Sequence, residues 1–433
     1  MRHALEADAA VGTWAAGAAV RFSDMAHSVA LIPCQTMQTL SAMIRDEVGQ
    51  SGGWIGFDLF MGLALYAPGL GYYCGGGRPF GGLGSADPAD SGDFLTAPML
   101  GPWLAEAIWQ WARPLASQAD PFRIREFGGG RGDLAAALLS CAQRDQITCH
   151  LEEIELSANL QALQRQATES FKTVRWSQTL SNGFSGLVIA NEVLDAMPVK
   201  CFEWVDAQTV LEWGVEIDSE RTSEGSEFRW APRPASAGLS AVVQQRHRNA
   251  EALGLHWDSG YRGEYNPWSA AWLNSLSESI DSGAIVLIDY GFMRPELDHP
   301  GRTKGSLCAH YRHQRIDNFD ELLKRVGEQD LTAHVDFSQL CSEAEQAGFQ
   351  VNGLVTQARF LINVGLLESA QNILDQTTDT ISRTRHQQAL HQLLSEPEMG
   401  ERFKVMLLTK NLDSVRRQTL IEKGFIAGDR LGK

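Results

Sequence analysis

The sequence of 433 residues has no long uninterrupted apolar run, no paired-cysteine spacing and no excess of cations. Its most apolar window, Trp54 to Tyr73, is broken by Asp58, Pro68 and several glycines, so no membrane span is expected. The seven cysteines (Cys34, Cys74, Cys141, Cys149, Cys201, Cys308 and Cys341) are odd in number and irregular in spacing, with no C-x-x-C. That excludes a disulfide framework or zinc ribbon and suits a reducing compartment. Lys plus Arg number 37 against 53 Asp plus Glu, a net charge of −16. Nonspecific nucleic-acid binding needs clustered cations, so a nucleic-acid partner is not expected.

What the chain does have is ordinary globular content: 44% hydrophobic and 21% charged residues. Residues 1–36 read as an extension with little order. Glu6 and Asp8 spoil a basic leader, so a secretory signal is not expected and the cytoplasm is the expected location. Helical periodicity over about 39–48 and 56–66 is followed by a stretch, 67–101, holding ten glycines. A further helix from about Pro102 leads into alternating strands and helices: Phe122–Phe127, Asp133–Cys141, a strand ending near Glu155, a helix over 158–169, and strands near Val174 and at Leu187–Ala190. The unbroken run Ala284–Ile288 suits a central parallel strand, and two later strands are expected near 349–355 and 403–409. This pattern predicts an α/β fold built on a doubly wound, mostly parallel sheet. The expected organisation is a helical, glycine-rich cap over 37–117 and a core of 118–198 plus 284–410. The core carries a helical insertion at about 358–398. An inserted subdomain over 199–283 and a tail over 411–433 complete it.

Between a strand and a helix stands Glu126-Phe127-Gly128-Gly129-Gly130-Arg131-Gly132-Asp133. Glycines permit a tight turn and close ligand approach, and the helix N-terminus supplies free N–H groups. A dinucleotide fingerprint counted from Gly128 needs glycine at 133, where Asp133 stands. The pattern instead resembles motif I of class I S-adenosylmethionine methyltransferases. Glu155, 23 residues after Gly132 at the next strand end, is placed to bridge ribose hydroxyls, a role that NAD enzymes share.

Longer blocks extend this likeness. Gly71-Tyr72-Tyr73, Gly92-Asp93-Phe94 with Thr96-Ala97-Pro98, Glu155-Leu156-Ser157, Ala190-Asn191-Glu192 with Leu194-Asp195, Ile288-Asp289-Tyr290-Gly291 and the run Asp330–Phe337 occur in order. Over about residues 38–410 the sequence resembles the MidA family, bacterial relatives of the mitochondrial complex I assembly methyltransferase. The resemblance implies a class I, Rossmann-like methyltransferase fold and S-adenosylmethionine as cofactor. It further implies methylation of a protein arginine, with a respiratory-complex subunit among the possible substrates. The chain departs from the family at Met99, often Glu, and at Gly129, often Ala, a change expected only to loosen the turn. The segment 79–91 is also longer than usual.

Within that frame Glu126, Gly128, Gly130, Gly132 and Glu155 are assigned to the cofactor. Asp93 and Phe94 are assigned to a loop closing over its methionine end. Asn191 and Glu192, after the fourth strand, are assigned to the acceptor: a carboxylate pairs bidentately with a guanidinium. The plainer reading of Asn191-Glu192 is a helix cap. Asp195 is expected one turn on, in support of Glu192. Asp289 and Tyr290 are expected at the pocket rim, and Asp336 as a helix N-cap. His310 and His313, taken as i and i+3 on one strand, would face opposite ways, so no metal is expected. Two alternatives stand beside the methyltransferase: a noncatalytic assembly protein that keeps the cofactor pocket, and, more weakly, an NAD-dependent oxidoreductase.

Overall fold

A computed structural model describes residues 39–75, 80, 95–116, 120–219 and 226–431. The chain divides into two units, each assembled from separated segments. One contains Arg78–Asp195, Leu276–Gly291 and Gln339–Lys433; the other contains the residues up to Gly77, Ala196–Ser275 and Phe292–Ser338.

The first of these is the sheet unit. After helix α1 (Trp103–Ala112) come β1 (Phe122–Phe127), α2 (Asp133–Arg144), β2 (Cys149–Ile154), α3 (Ala158–Ala167), β3 (Val174–Ser177) and β4 (Phe184–Asn191). The chain returns as β5 (Ile280–Phe292), then β6 (Gln350–Thr356), helices α4 (Gln357–Asn363), α5 (Leu366–Gln376) and α6 (Thr380–Leu394), β7 (Phe403–Lys410) and α7 (Ser414–Gly424). The strand order is β6-β7-β5-β4-β1-β2-β3. From β3 to β5 every neighbour pair is parallel, and β7 runs antiparallel to both β5 and β6. The mostly parallel, doubly wound sheet read from the sequence is therefore present. Leu187–Ala190 and Ala284–Ile288 are buried without alternation, as strands covered on both faces require. The expected insertion at about 358–398 is helical, as α4, α5 and α6.

The other unit is built on an antiparallel sheet of Val210–Ile217 with Lys200–Trp204, Tyr261–Tyr265 and Phe228–Pro234. Ile55 and Gly56 pair with Val215 and Gly214, so the N-terminal helices Leu40–Gln50 and Phe57–Tyr66 share one unit with the 199–283 insertion. Lys200 is held between Asp58 (3.1 Å) and Glu212 (2.7 Å). His310 and His313 do not lie on one strand. His310 lies within the strand Cys308–Tyr311, and Arg312-His313 is a two-residue hairpin turn with φ of 49° and 62°. Such turns usually carry Asn or Gly, which is why Arg-His gave no signal. Among the described residues no group of three or more His, Cys, Asp or Glu could hold a metal, and no helix is long and apolar enough to cross a membrane.

One charge lies at the centre of the sheet unit. Arg125 on β1 is fully buried. Its guanidinium donates to Glu152 on β2 (2.6 Å), to Ser279 at the approach to β5 (3.0 Å), and to the carbonyl and hydroxyl of Ser181 ahead of β4 (3.1 and 3.0 Å). Its cationic face lies 4.3 Å from the ring of Phe184. Removing one partner of a buried pair leaves the other uncompensated, at a cost of about 3–5 kcal/mol. Arg125→Leu should lower the unfolding free energy by about that much in urea titration; a loss below about 1 kcal/mol would show that the pair contributes no more than a surface contact.

Candidate functional site

The order of strands reverses beside β1, whose neighbours are β2 and β4. In doubly wound sheets such a reversal opens a crevice at the carboxyl ends of the strands. Gly128, Gly130 and Gly132, which fill the turn there, have φ of 61°, 54° and 91°, conformations that cost a side chain dearly. Gly132 also caps α2 and approaches α3: a Cβ there would lie 3.0 Å from the Cα of Gln164. Arg131 folds back to make two bonds to Asp133, at 2.9 and 3.1 Å, in the first turn of α2. The ring of Phe80 lies over Gly130.

Glu155 stands just past β2 and is buried rather than exposed. Its Oε1 accepts from the amide of Ser157 (2.8 Å) and its Oε2 from Gln164 (3.1 Å). Burial pushes its carboxyl up to about 7, against these hydrogen bonds, which hold it down. Gln164 was not singled out from the sequence. It is completely buried on α3 and uses the other hydrogen of its amide on the carbonyl of Gly130 (3.1 Å), while its oxygen accepts from Trp176 (3.1 Å). One side chain thus ties the glycine turn to Glu155. The available signal was a glutamine one turn after the buried Leu160, on the apolar side of α3.

Glu126 does not project from the turn; it lies beneath it, 2% exposed. Burial pushes its carboxyl up to about 8, opposed by hydrogen bonding with Glu153 and reinforced by the charges of Asp133 and Glu155. Asp93 and Phe94 fall outside the described residues.

Asn191 ends β4, and Glu192 follows with φ 55°, a left-handed conformation rare outside glycine. No helix follows, so these two residues cap nothing, and Asp195 lies in a turn rather than one helical turn on. The amide of Asn191 donates to the carboxylate of Glu192 (3.2 Å), while the buried Oδ1 of Asn191 has no partner among the described residues. The amide of Glu192 donates to the carbonyl of Ile288 (2.8 Å). The left-handed turn is fixed from below by Asp289. Far from lining a rim, Asp289 is 1% exposed. Its Oδ2 accepts from the amides of Val193, Leu194 and Asp195 at 3.2, 2.9 and 3.3 Å. Burial, with the nearby Asp195 and Glu192, pushes this carboxyl well above the usual range, against the amides of Leu194 and Asp195. Val193 also faces the glycine turn: its Cγ2 would be 3.2 Å from a Cβ on Gly128. The structure therefore gathers the glycine turn, Glu155 and Asn191-Glu192 at one sheet edge.

A family model of S-adenosyl-L-methionine-dependent methyltransferases matches residues 99–355. The mitochondrial protein arginine methyltransferase NDUFAF7 of Bos taurus is 26% identical over 410 residues, covering 86% of this chain and 84% of that protein. Its Xenopus laevis counterpart is 25% identical, covering 73% and 74%. A crystal structure of a Burkholderia thailandensis protein bound to S-adenosyl-homocysteine has a TM-score of 0.77 and 33% identity, covering 92% of this chain and 99% of that one. A native crystal structure from the same organism has a TM-score of 0.73 at 32% identity, with the same coverage.

Replacing Asp289 with alanine leaves three amides, two of them buried, without their acceptor. Each such group costs about 1–3 kcal/mol, so Asp289→Ala should lose roughly 3 kcal/mol or more in denaturant titration. Asp289→Asn keeps an accepting oxygen and should lose less than half of that. Equal losses in the two variants would show that the carboxyl does not act through these bonds.

Proposed function

Since the chain belongs to this family of S-adenosyl-L-methionine-dependent methyltransferases, with its class I fold and its cofactor, we propose that it methylates a guanidinium nitrogen of arginine in a protein. The names of the mitochondrial relatives support an arginine acceptor. The observation that carries the reading is Glu192: a carboxylate at the end of β4, on a left-handed backbone, with the Asn191 amide bonded to it. Strain of this kind persists only where surrounding bonds over-determine it, and it clusters at functional sites.

The residues present fit the cofactor. Three left-handed glycines keep the turn free of side chains, and Glu155 is a buried carboxyl with acceptor capacity left on both oxygens. In this reading Gly128, Gly130 and Gly132 let the backbone approach the ligand, Glu155 accepts from ribose hydroxyls, and Glu126 packs beneath the turn. Asp93 and Phe94 keep their proposed place at its methionine end. S-adenosylmethionine supplies a methyl group on a sulfonium, an electrophile that needs only a correctly placed lone pair. Glu192 takes charge-assisted hydrogen bonds from the guanidinium, fixes its plane and counters its charge as nitrogen turns toward carbon. Asn191 orients that carboxylate, and Asp195 adds negative charge nearby. The methylated nitrogen loses a proton, for which the Glu192 carboxylate is the nearest proposed acceptor.

Incubation with methyl-labelled S-adenosylmethionine and a soluble lysate, followed by peptide mapping, should place label on arginine. Label on another residue type or on a small molecule would overturn the acceptor assignment. Glu192→Gln should lower transfer by about 10²-fold or more while S-adenosylhomocysteine still binds. If transfer persists unchanged, Glu192 is not the acceptor carboxylate. Binding without transfer in the wild-type chain would favour a noncatalytic assembly role.

A further inference from the structure

Two neighbouring positions on β1 and β2 are treated in opposite ways. Arg125 stands beside Glu152, and the next pair in register is Glu126 beside Glu153. The first pair is an ion pair. The second places two carboxyls side by side, both buried, with Glu153 at 0% exposure. Like charges in direct cross-strand register repel. Neither oxygen of Glu153 has a donor among the described residues, nor has Oε2 of Glu126. As two carboxylates the pair offers only acceptors; with one proton between them, one carboxyl becomes donor to the other. Burial and the mutual charge push Glu153 well above the ordinary carboxylate range. The other charges acting on the pair, Asp133 from α2 and Glu155 from the end of β2, are also acidic, and Asp133 is itself paired with Arg131.

Above this pair sits Gly129, which has none of the left-handed strain of its neighbours. It is glycine for a different reason. A Cβ there would lie 2.6 Å from one oxygen of Glu153 and 3.0 Å from the other and from the carboxyl carbon. A fully buried carboxyl has little room to withdraw. The expectation that glycine at 129 merely loosens the turn is thus replaced: the floor of the turn occupies the space that alanine would need.

We propose that Glu153 is a positioning residue for the cofactor turn: with Glu126 it forms a buried carboxyl pair filling the floor under Gly129, so that ligand binding depends on Gly129 and Glu153 jointly. This rests on the assignment of the glycine turn to the cofactor. The pair supports the turn from below and does not itself touch the ligand.

The test is a double-mutant cycle read by calorimetric binding of S-adenosylhomocysteine and by melting temperature. Gly129→Ala alone should weaken binding by about tenfold, since contacting residues couple strongly. In a Glu153→Ala background the same change should cost less than about twofold further. Glu153→Gln keeps the bulk, so Gly129→Ala should remain damaging beside it. Losses that add across the cycle would overturn the proposal, as would tolerance of Gly129→Ala alone. Melting temperatures report the same coupling without ligand. A wild-type chain that binds no S-adenosylhomocysteine therefore overturns the cofactor assignment, while the cycle still decides the fate of Glu153.

Discussion

The sheet unit depends on one buried guanidinium. Arg125 reaches β2 directly, and it reaches the residues that lead into β4 and into β5. Parallel strands have no hairpins to set their register, and their connections here run through helices and through the other unit. A planar group with five donors in a fixed fork fixes several approaches together, which a hydrophobic contact of the same area does not. The desolvation this entails is offset by Glu152, the two serines and the face of Phe184. With those strand ends fixed, the turns that follow them have defined starting points.

The site is then a set of buried polar side chains acting on backbone. Gln164 holds the carbonyl of Gly130, Asp289 holds three amides after β4, and Glu155 holds the amide of Ser157. None of these bonds needs a ligand to form, so the geometry exists before anything binds. Preorganisation of this kind is what electrostatic and positional catalysis requires, because no reorganisation remains for the reacting step.

Much of this was readable from the residues. The apolar runs of β4 and β5, the glycines after β1 and the acidic residue after β2 each announce themselves by local composition. Glu153, Gln164 and Asp289 do not, because their meaning lies in register and in distant contacts. Glu153 matters because β1 and β2 align it with Glu126. Gln164 matters because α3 turns it toward a glycine 34 residues earlier. The cap reading of Asn191-Glu192 failed for a related reason: the residues suit a cap, yet Asp289 draws the chain into a turn and no helix begins. Asp93 and Phe94 lie outside the described residues, so their placement rests on the sequence alone.

The bonds to Asp289 also set an order of events during synthesis. The carboxyl that shapes the turn after β4 is made 94 to 96 residues after the amides it holds. At about 5–20 residues per second that interval is roughly 5–20 s. Until Ile280 to Ile288 are made, near the end of that interval, β4 has its β1 neighbour but lacks β5, so one edge of an apolar strand stays open to mispairing. A nascent chain halted before residue 289 would carry every residue of the glycine turn, of Glu155 and of Glu192, and would still lack the acceptor that gives the last its conformation.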